Sequence, residues 1–109
     1  MTDKLLVLTT AGSEDEARKI AHALVERQLA ACVNMVPRIH SVYRWQSKVE
    51  STEEFLLIIK TTTNCEERLR AAIRELHSYE LPECIAIGID GGSEDYLRWV
   101  SESVQDIEP

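Results

Sequence analysis

Side chains that could bind a ligand or titrate are concentrated in two short segments of this 109-residue chain. One comprises residues 43–45 together with Lys60, and the other is the loop over residues 77–83, which reads HSYELPE. The loop offers an imidazole, a phenol and carboxylates, which are groups that can hold a metal ion or orient a small ligand. A lone loop histidine is more often solvated, or a cap at a helix C-terminus, than a metal ligand. Sequence spacing alone therefore assigns no reaction to His77.

Motifs typical of enzymes and of disulfide frameworks are absent. The sequence contains no Gly-rich phosphate loop, no HExxH, no GxSxG and no Ser, His and Asp set at triad spacing. The cysteines at positions 32, 65 and 84 are odd in number and widely spaced, which fits neither a disulfide framework nor a CxxC site. We expect Cys32 and Cys84 to be shielded, and Cys65, next to a helix start, to be more exposed and to react first.

Composition narrows the class of protein. Acidic residues outnumber basic ones by 19 to 12, for a formal net charge of −7, which works against nucleic acid as a partner because phosphate neutralisation needs clustered Lys and Arg. The segment MTDKLLVLTT is too short and too polar for a signal peptide or a membrane span, so we expect no membrane partner and a cytoplasmic location. With 44% hydrophobic residues, the chain is predicted to form a single domain over residues 1–109.

The longest regular pattern is an alternation of apolar and polar residues over residues 33–45. After a short break it resumes and becomes an unbroken apolar run, FLLII, over residues 55–59. This predicts an antiparallel hairpin whose strands have about 13 residues, or roughly 43 Å each. A domain of this size has a radius of gyration of about 13 Å, so the hairpin should protrude beyond its own core. Because a protruding apolar hairpin needs cover from a neighbouring chain, we expect no stable monomer.

Shorter patterns predict the remaining elements. Two further strands are expected over residues 4–10 and 84–89, and a first helix over residues 14–28. Three polar side chains mark the helix starts: Ser13 (in a capping box with Glu16), Asn64 and Ser93. The tail over residues 105–109 is expected to fray. The resulting order predicts an α+β fold of the ferredoxin-like βαββαβ type, with central first and third strands and an extra C-terminal helix.

Five segments in this order are similar to the CutA family: AACVN, SVYRW, LLIIKT, HSYELPE and YLRW, at residues 30–34, 41–45, 56–61, 77–83 and 96–99. The resemblance covers nearly the whole chain. It implies a ferredoxin-like subunit in a homotrimer that is related in architecture to PII signalling proteins. It also implies a link to divalent-cation tolerance, with copper or another divalent metal ion as the candidate cofactor.

The chain departs from the pattern of the copper-binding members at two of three ascribed ligand positions. Those members have a cysteine and two adjacent histidines where this chain has Thr9, Leu76 and His77. Any metal binding is therefore expected to depend on His77, although one imidazole is a weak site for copper(II). The family commonly has a glycine in the hairpin turn, at the position of Ser47 in this chain. The serine costs about 1 kcal/mol of stability if the position needs a positive φ.

Three function classes follow from these observations. The first is a trimeric, PII-like protein of metal response or signalling whose inter-subunit cleft binds a small ligand or ion, lined by Trp45, Lys60, Tyr79 and Glu83. The second is a scaffold in which the trimer itself is the function. The third is an acylphosphatase-like enzyme on the same fold, but its phosphate-gripping arginine is missing from residues 9–15. We therefore expect the protein not to be an enzyme.

Overall fold

A computed structural model describes residues 2–106 and shows an α+β fold built on one four-stranded antiparallel sheet. The elements are β1 (Lys4–Ala11), α1 (Glu14–Glu26), β2 (Cys32–Trp45), β3 (Lys48–Thr62), a 3-10 turn (Thr63–Cys65), α2 (Glu66–Leu76), β4 (Ile85–Gly88) and α3 (Glu94–Ser103). The strand order β2-β3-β1-β4 places β1 and β3 in the centre. The predicted ferredoxin-like order with an appended helix is confirmed.

The core lies between the sheet and the first two helices. Its fully buried side chains come from both central strands and from α1 and α2: Val7, Leu57, Ile59, Ile20, Leu24, Leu69 and Ile73. The apolar runs of β1 and β3 are explained by this position, because a central strand under helices needs apolar residues on its covered face. Val25, near the C-terminal end of α1, is not part of this core and is 43% exposed.

The long hairpin is confirmed, with 14 residues in β2 and 15 in β3. Its turn consists of Gln46 and Ser47, which both have left-handed φ angles of 51° and 67°. β1 pairs with β3 only as far as Phe55, so beyond that point the two hairpin strands continue without a third strand. We call this extension, residues 39–54, the arm. A register shift between Val36 and Ile39 marks its base, and the molecule is 43 Å long for a radius of gyration of 14.4 Å.

Helix starts are predicted correctly in two of three cases. The Ser13 hydroxyl accepts a hydrogen bond from the Glu16 amide at 3.2 Å, and Ser93 caps α3 in the same way. The Asn64 prediction is wrong, because a 3-10 turn precedes α2 and its N-cap residue is Cys65, without a side-chain cap. Asn64 Oδ1 instead accepts a hydrogen bond from Arg68.

Cys65 is fully buried, so the prediction of an exposed, reactive thiol there is also wrong. Cys32 and Cys84 are only partly buried, which reverses the expected order of exposure. The C-terminal segment lies over Cys65. It is fixed there by hydrogen bonds to both the backbone amide and the backbone carbonyl of Gln105. Its amide donates to the Gln28 carbonyl and its carbonyl accepts from Arg68, both at 2.8 Å, so the predicted fraying does not begin at Gln105. Residues 107–109 of the predicted frayed tail lie outside the described residues.

Candidate functional site

A cleft of about 880 Å³ lies between the arm and the loop that follows α2. The arm contributes residues 40–45 and Glu54, and the loop contributes residues 78–81 and Glu83. Thr10, near the end of β1, completes the lining where the arm leaves the sheet. The cleft therefore brings residues 43–45 next to the loop, so it joins most of the side chains that the sequence marks as chemically capable.

The loop is held in place by His77, whose side chain is fully buried. Its Nε2–H donates to the Thr10 carbonyl at 2.5 Å, and its Nδ1 accepts the Tyr79 amide at 3.1 Å. Because Nδ1 is an acceptor, these partners assign a neutral ring with the proton on Nε2. His77 thus ties the loop to β1 and fixes the backbone of Tyr79.

Glu16 makes the second attachment of the loop. Its carboxylate accepts the Ser78 amide at 2.8 Å instead of completing the predicted capping box at Ser13. Partial burial by itself raises the pKa of Glu16, but the hydrogen bonds from Ser78, together with His77 and the Gly12 amide, hold the pKa below its usual value. The first helix therefore helps to position the loop over the cleft.

The floor of the cleft contains a hydrogen-bonded pair, Tyr79 and Glu54. The Tyr79 hydroxyl donates to Glu54 Oε2 at 2.7 Å, and Glu54 is only 6% exposed. Partial burial, followed by the bond to Glu54 and its charge, raises the pKa of Tyr79 well above its usual value, so the phenol stays a donor. Gly12 lies against the same ring, where an added Cβ would be 3.0 Å from the Tyr79 hydroxyl oxygen.

Glu83 lies at the exposed side of the cleft. Partial burial, followed by the charge of Glu54, raises the pKa of Glu83. The charge of Glu54 therefore acts on Glu83 across the cleft. An additional negative charge there would meet the same repulsion.

Three of the four residues predicted to line a binding cleft come together here: Trp45, Tyr79 and Glu83. The structure does not bring Lys60 to this cleft within one chain. Lys60 lies on β3 opposite Cys32, and its ammonium group donates to Asn34 Oδ1 at 2.6 Å.

Glu54 is the residue of the site that sequence reasoning missed. Its only sequence signal is its position directly before the apolar run of β3, where a buried carboxylate is not expected. Tyr43 lines the cleft too, next to Trp45 in the arm.

The residues around His77 do not fit a resident metal ion. Both ring nitrogens of His77 already have hydrogen-bond partners, so a metal ion could bind only by replacing one of them. At the other two ascribed positions, Thr9 is fully buried in β1 and Leu76 packs against the core. Within residues 2–106, no three His, Cys, Asp or Glu side chains are grouped to hold a metal ion.

Comparison with known proteins gives one consistent result. The family described as CutA1 divalent ion tolerance protein matches residues 5–103. The chain is 48% identical over 98 residues to the divalent-cation tolerance protein CutA of Thermus thermophilus, covering 90% of this chain and 95% of that protein. It is 44% identical to the chloroplastic protein CutA of Arabidopsis thaliana over 93% of this chain, but spans only 56% of that relative. A relative from Pectobacterium atrosepticum, 33% identical over 96% of both chains, is likewise named a divalent-cation tolerance protein CutA.

Solved structures agree with the sequence matches. A divalent cation tolerance protein from Thermus thermophilus superposes with a TM-score of 0.92 at 46% identity, covering 94% of this chain and 99% of that one. The periplasmic divalent cation tolerance protein CutA from Archaeoglobus fulgidus superposes with a TM-score of 0.90 at 38% identity, with coverages of 94% and 99%. None of the helices in residues 2–106 is long and apolar enough to cross a membrane.

Proposed function

The chain belongs to the CutA1 divalent ion tolerance family, and from this premise we propose that it acts as a trimeric, PII-like protein whose cleft binds a small ligand. The observation that carries the proposal is the cleft itself, whose two walls are the arm and the HSYELPE loop. A ligand placed there contacts both walls and can couple its own binding to the position of the arm. In a trimer, the arm is also the part of the subunit that reaches a neighbour.

The trimer is supported by the apolar surface that one chain leaves uncovered. In the arm, Val42 is 72% exposed and Val49 is 68% exposed. At the opposite edge of the sheet, Ile85 and Ile87 of β4 are 51% and 46% exposed. Both edge strands also carry unpaired backbone groups, which another copy of the chain can satisfy by strand pairing. A second and a third copy would cover these surfaces without any other partner.

The small ligand is favoured over a resident metal ion by the groups at the cleft. Its lining combines aromatic rings with a few polar groups, as small-molecule sites usually do. His77, the predicted metal ligand, instead has both ring nitrogens hydrogen-bonded under the loop. In this proposal, copper or another divalent metal is a competitor to be tested and not a cofactor of the fold. The proposal places the protein in the cytoplasm, where its three free thiols suit a reducing compartment.

The assembly is tested by sedimentation at micromolar protein. We expect one trimer peak for the unmodified chain, and loss of the trimer together with the fold for the double variant Tyr43→Asp, Trp45→Asp. Val25→Asp is the matched control, because Val25 and Tyr43 are both 43% exposed but Val25 lies on α1. It should keep the trimer. A folded, soluble monomer of the unmodified chain would overturn the trimeric proposal.

Ligand binding is tested by a thermal-shift screen of nucleotides, amines and divalent metals on untagged protein. A ligand of the cleft should raise the melting temperature of the unmodified chain more than that of Tyr43→Ala, which removes one of the rings that line the cleft. A trimer that none of these compounds stabilises would instead support a scaffold role. Calorimetry with copper(II) on the unmodified chain and His77→Ala tests the metal: equal affinities would remove His77 from any metal site.

A further inference from the structure

We infer that the ligand of this cleft is an organic cation, a protonated amine attached to an apolar or aromatic body. The inference rests on the proposed binding role of the cleft and adds the chemical class of the ligand. Three properties of the described residues lead to it: which face of the arm is turned to the loop, the free acceptor capacity of Glu54, and the rings around it.

The face of the arm that is turned to the loop follows from the strand register. Ile39 pairs with Glu54 and Tyr43 with Glu50, and directly opposed residues of an antiparallel pair lie on the same face. Side chains alternate along each strand, so Ser41, Tyr43 and Trp45 share the face of Glu54. Because Glu54 accepts a hydrogen bond from Tyr79, this face is the one turned to the loop.

The same alternation places His40 and Arg44 on the opposite face of the arm. Both residues still contribute to the lining, and Arg44 is the one arginine among the described lining residues. The cation that shares the Glu54 face is Lys48, which pairs with Trp45 at the turn and is not part of the lining. The inward surface of the cleft is therefore acidic and aromatic.

Glu54 has acceptor capacity that the described residues do not use. Its side chain is more than nine-tenths buried, and the one hydrogen bond that reaches its carboxylate from residues 2–106 comes from Tyr79, at Oε2. An ionised carboxylate can accept about four hydrogen bonds, and burying it with so few partners is costly. A protonated amine supplies both a compensating charge and up to three donors. Glu54 is thus the anchor for the cationic group.

The rings and the remaining charges fit the rest of such a ligand. Tyr43, Trp45 and Tyr79 line the cleft, and ring faces attract cations while they pack against apolar carbon. The other two carboxyl groups of the lining belong to Glu80 and Glu83, so three acids face a single arginine among the charged lining residues. Anionic ligands such as nucleotides are repelled by this set. A bare divalent ion needs about six oxygen ligands at short distance, which aromatic rings do not supply.

The class of ligand is tested with three probes of similar shape: 2-phenylethylamine, 2-phenylethanol and 3-phenylpropionate. The chain has two tryptophans, so Trp99→Phe leaves Trp45 as the only tryptophan reporter in the cleft. The amine should change Trp45 fluorescence and bind at least about tenfold more tightly than the alcohol, with the carboxylate weakest. Calorimetry on the unmodified chain should give the same ranking.

The anchor is tested with Glu54→Gln, which keeps an acceptor for Tyr79 but removes the charge. We expect a loss of about tenfold or more in amine affinity and no change for the alcohol. Glu53→Gln is the matched control, because the carboxylate of Glu53 is next to Glu54 in the chain but is exposed on the opposite face of the arm. It should change amine affinity by less than about twofold. If Glu54→Gln does not fold, the ranking of the three probes on the unmodified chain decides.

The outcomes separate this inference from the proposed function. Tighter binding of the carboxylate probe, or of a nucleotide or a divalent metal, than of the amine overturns the inference but leaves a ligand-binding cleft. Unchanged amine affinity in a folded Glu54→Gln variant overturns it as well. Binding of no probe, nucleotide or metal removes the ligand-binding cleft and, with it, the inference.

Discussion

The two halves of the long hairpin are one continuous pair of strands in two different environments. In the half nearest the core, Leu57 and Ile59 are fully buried under the helices and beside β1. In the arm, Val42 and Val49 are more than two-thirds exposed. The first half is covered by its own chain, whereas Val42 and Val49 in the second half have no such cover within the described residues of the chain. This comparison separates residues that serve folding of the subunit from residues available for assembly and ligands.

The candidate site lies where these two halves meet. Glu54 is the residue just before Phe55, at which pairing with β1 begins. Glu54 is as deeply buried as many residues of the core half, although its side chain is a carboxylate. Its hydrogen-bond partner is Tyr79 from the loop. A ligand at this position would contact the base of the arm and the loop at the same time.

The largest difference between the halves is expected for truncation of a side chain. Leu57→Ala should lower the free energy of unfolding by about 2–5 kcal/mol, because it leaves a cavity under the helices. Val49→Ala, at 68% exposure within one chain, leaves no cavity in the subunit itself and should cost less, about 1 kcal/mol or below, even where a neighbouring subunit covers the arm. Denaturant titration at one protein concentration measures both. Equal losses would show that the arm is as well covered as the core half.

Thiol reactivity tests how deeply each of the three cysteines is buried. Cys65 is fully buried, so its labelling requires local opening and should be at least about a hundredfold slower than that of Cys32. Cys84 should fall between them, because burial raises the pKa of its thiol and disfavours the reactive thiolate. Mass spectrometry after timed exposure to a thiol reagent gives the three rates. First labelling at Cys65 would contradict the burial of the turn before α2.

The junction between the halves is tested by Tyr79→Phe. The variant leaves the buried Glu54 carboxylate without its hydrogen bond and should cost about 1–3 kcal/mol of stability. Tyr96→Phe makes the same chemical change on α3, where Tyr96 is 42% exposed and its ring packs against Trp99. Its effect should stay within about 0.5 kcal/mol. Equal effects, measured by thermal unfolding, would mean that the bond to Glu54 contributes nothing.

The smallest effect is expected at the tip of the arm. Ser47→Gly should stabilise the protein by about 0.5–1 kcal/mol, because glycine adopts the φ of 67° without steric cost. Ser51→Gly provides the opposite case in the extended part of β3, where glycine should destabilise by a similar amount. Equal shifts of the two melting temperatures would show that the turn carries no backbone strain.

The order of strands and helices along the chain and the long hairpin were predictable from the sequence. Both follow from local periodicity: the alternation over residues 33–45 and the apolar run over residues 55–59 are visible without any tertiary information. Serine caps at Ser13 and Ser93 were predictable for the same reason, since a cap acts on amides three residues away. The prediction of a cap at Asn64 was wrong because a 3-10 turn precedes α2, which therefore begins later in the chain.

The assembly of the candidate site, in contrast, could not be predicted from the sequence. Trp45, Tyr79 and Glu83 were predictable, because they are polar or aromatic side chains in the two segments rich in such groups. The position of Lys60 away from them was not predictable. The pairing of Tyr79 with Glu54 joins residues 25 positions apart, and that of His77 with Thr10 joins residues 67 positions apart. Such contacts depend on how α2 and the loop pack onto the sheet, and no short-range pattern encodes that packing. The sequence could therefore name groups capable of chemistry, whereas docking of the loop against the arm turned Glu54 into a buried acid in a cleft.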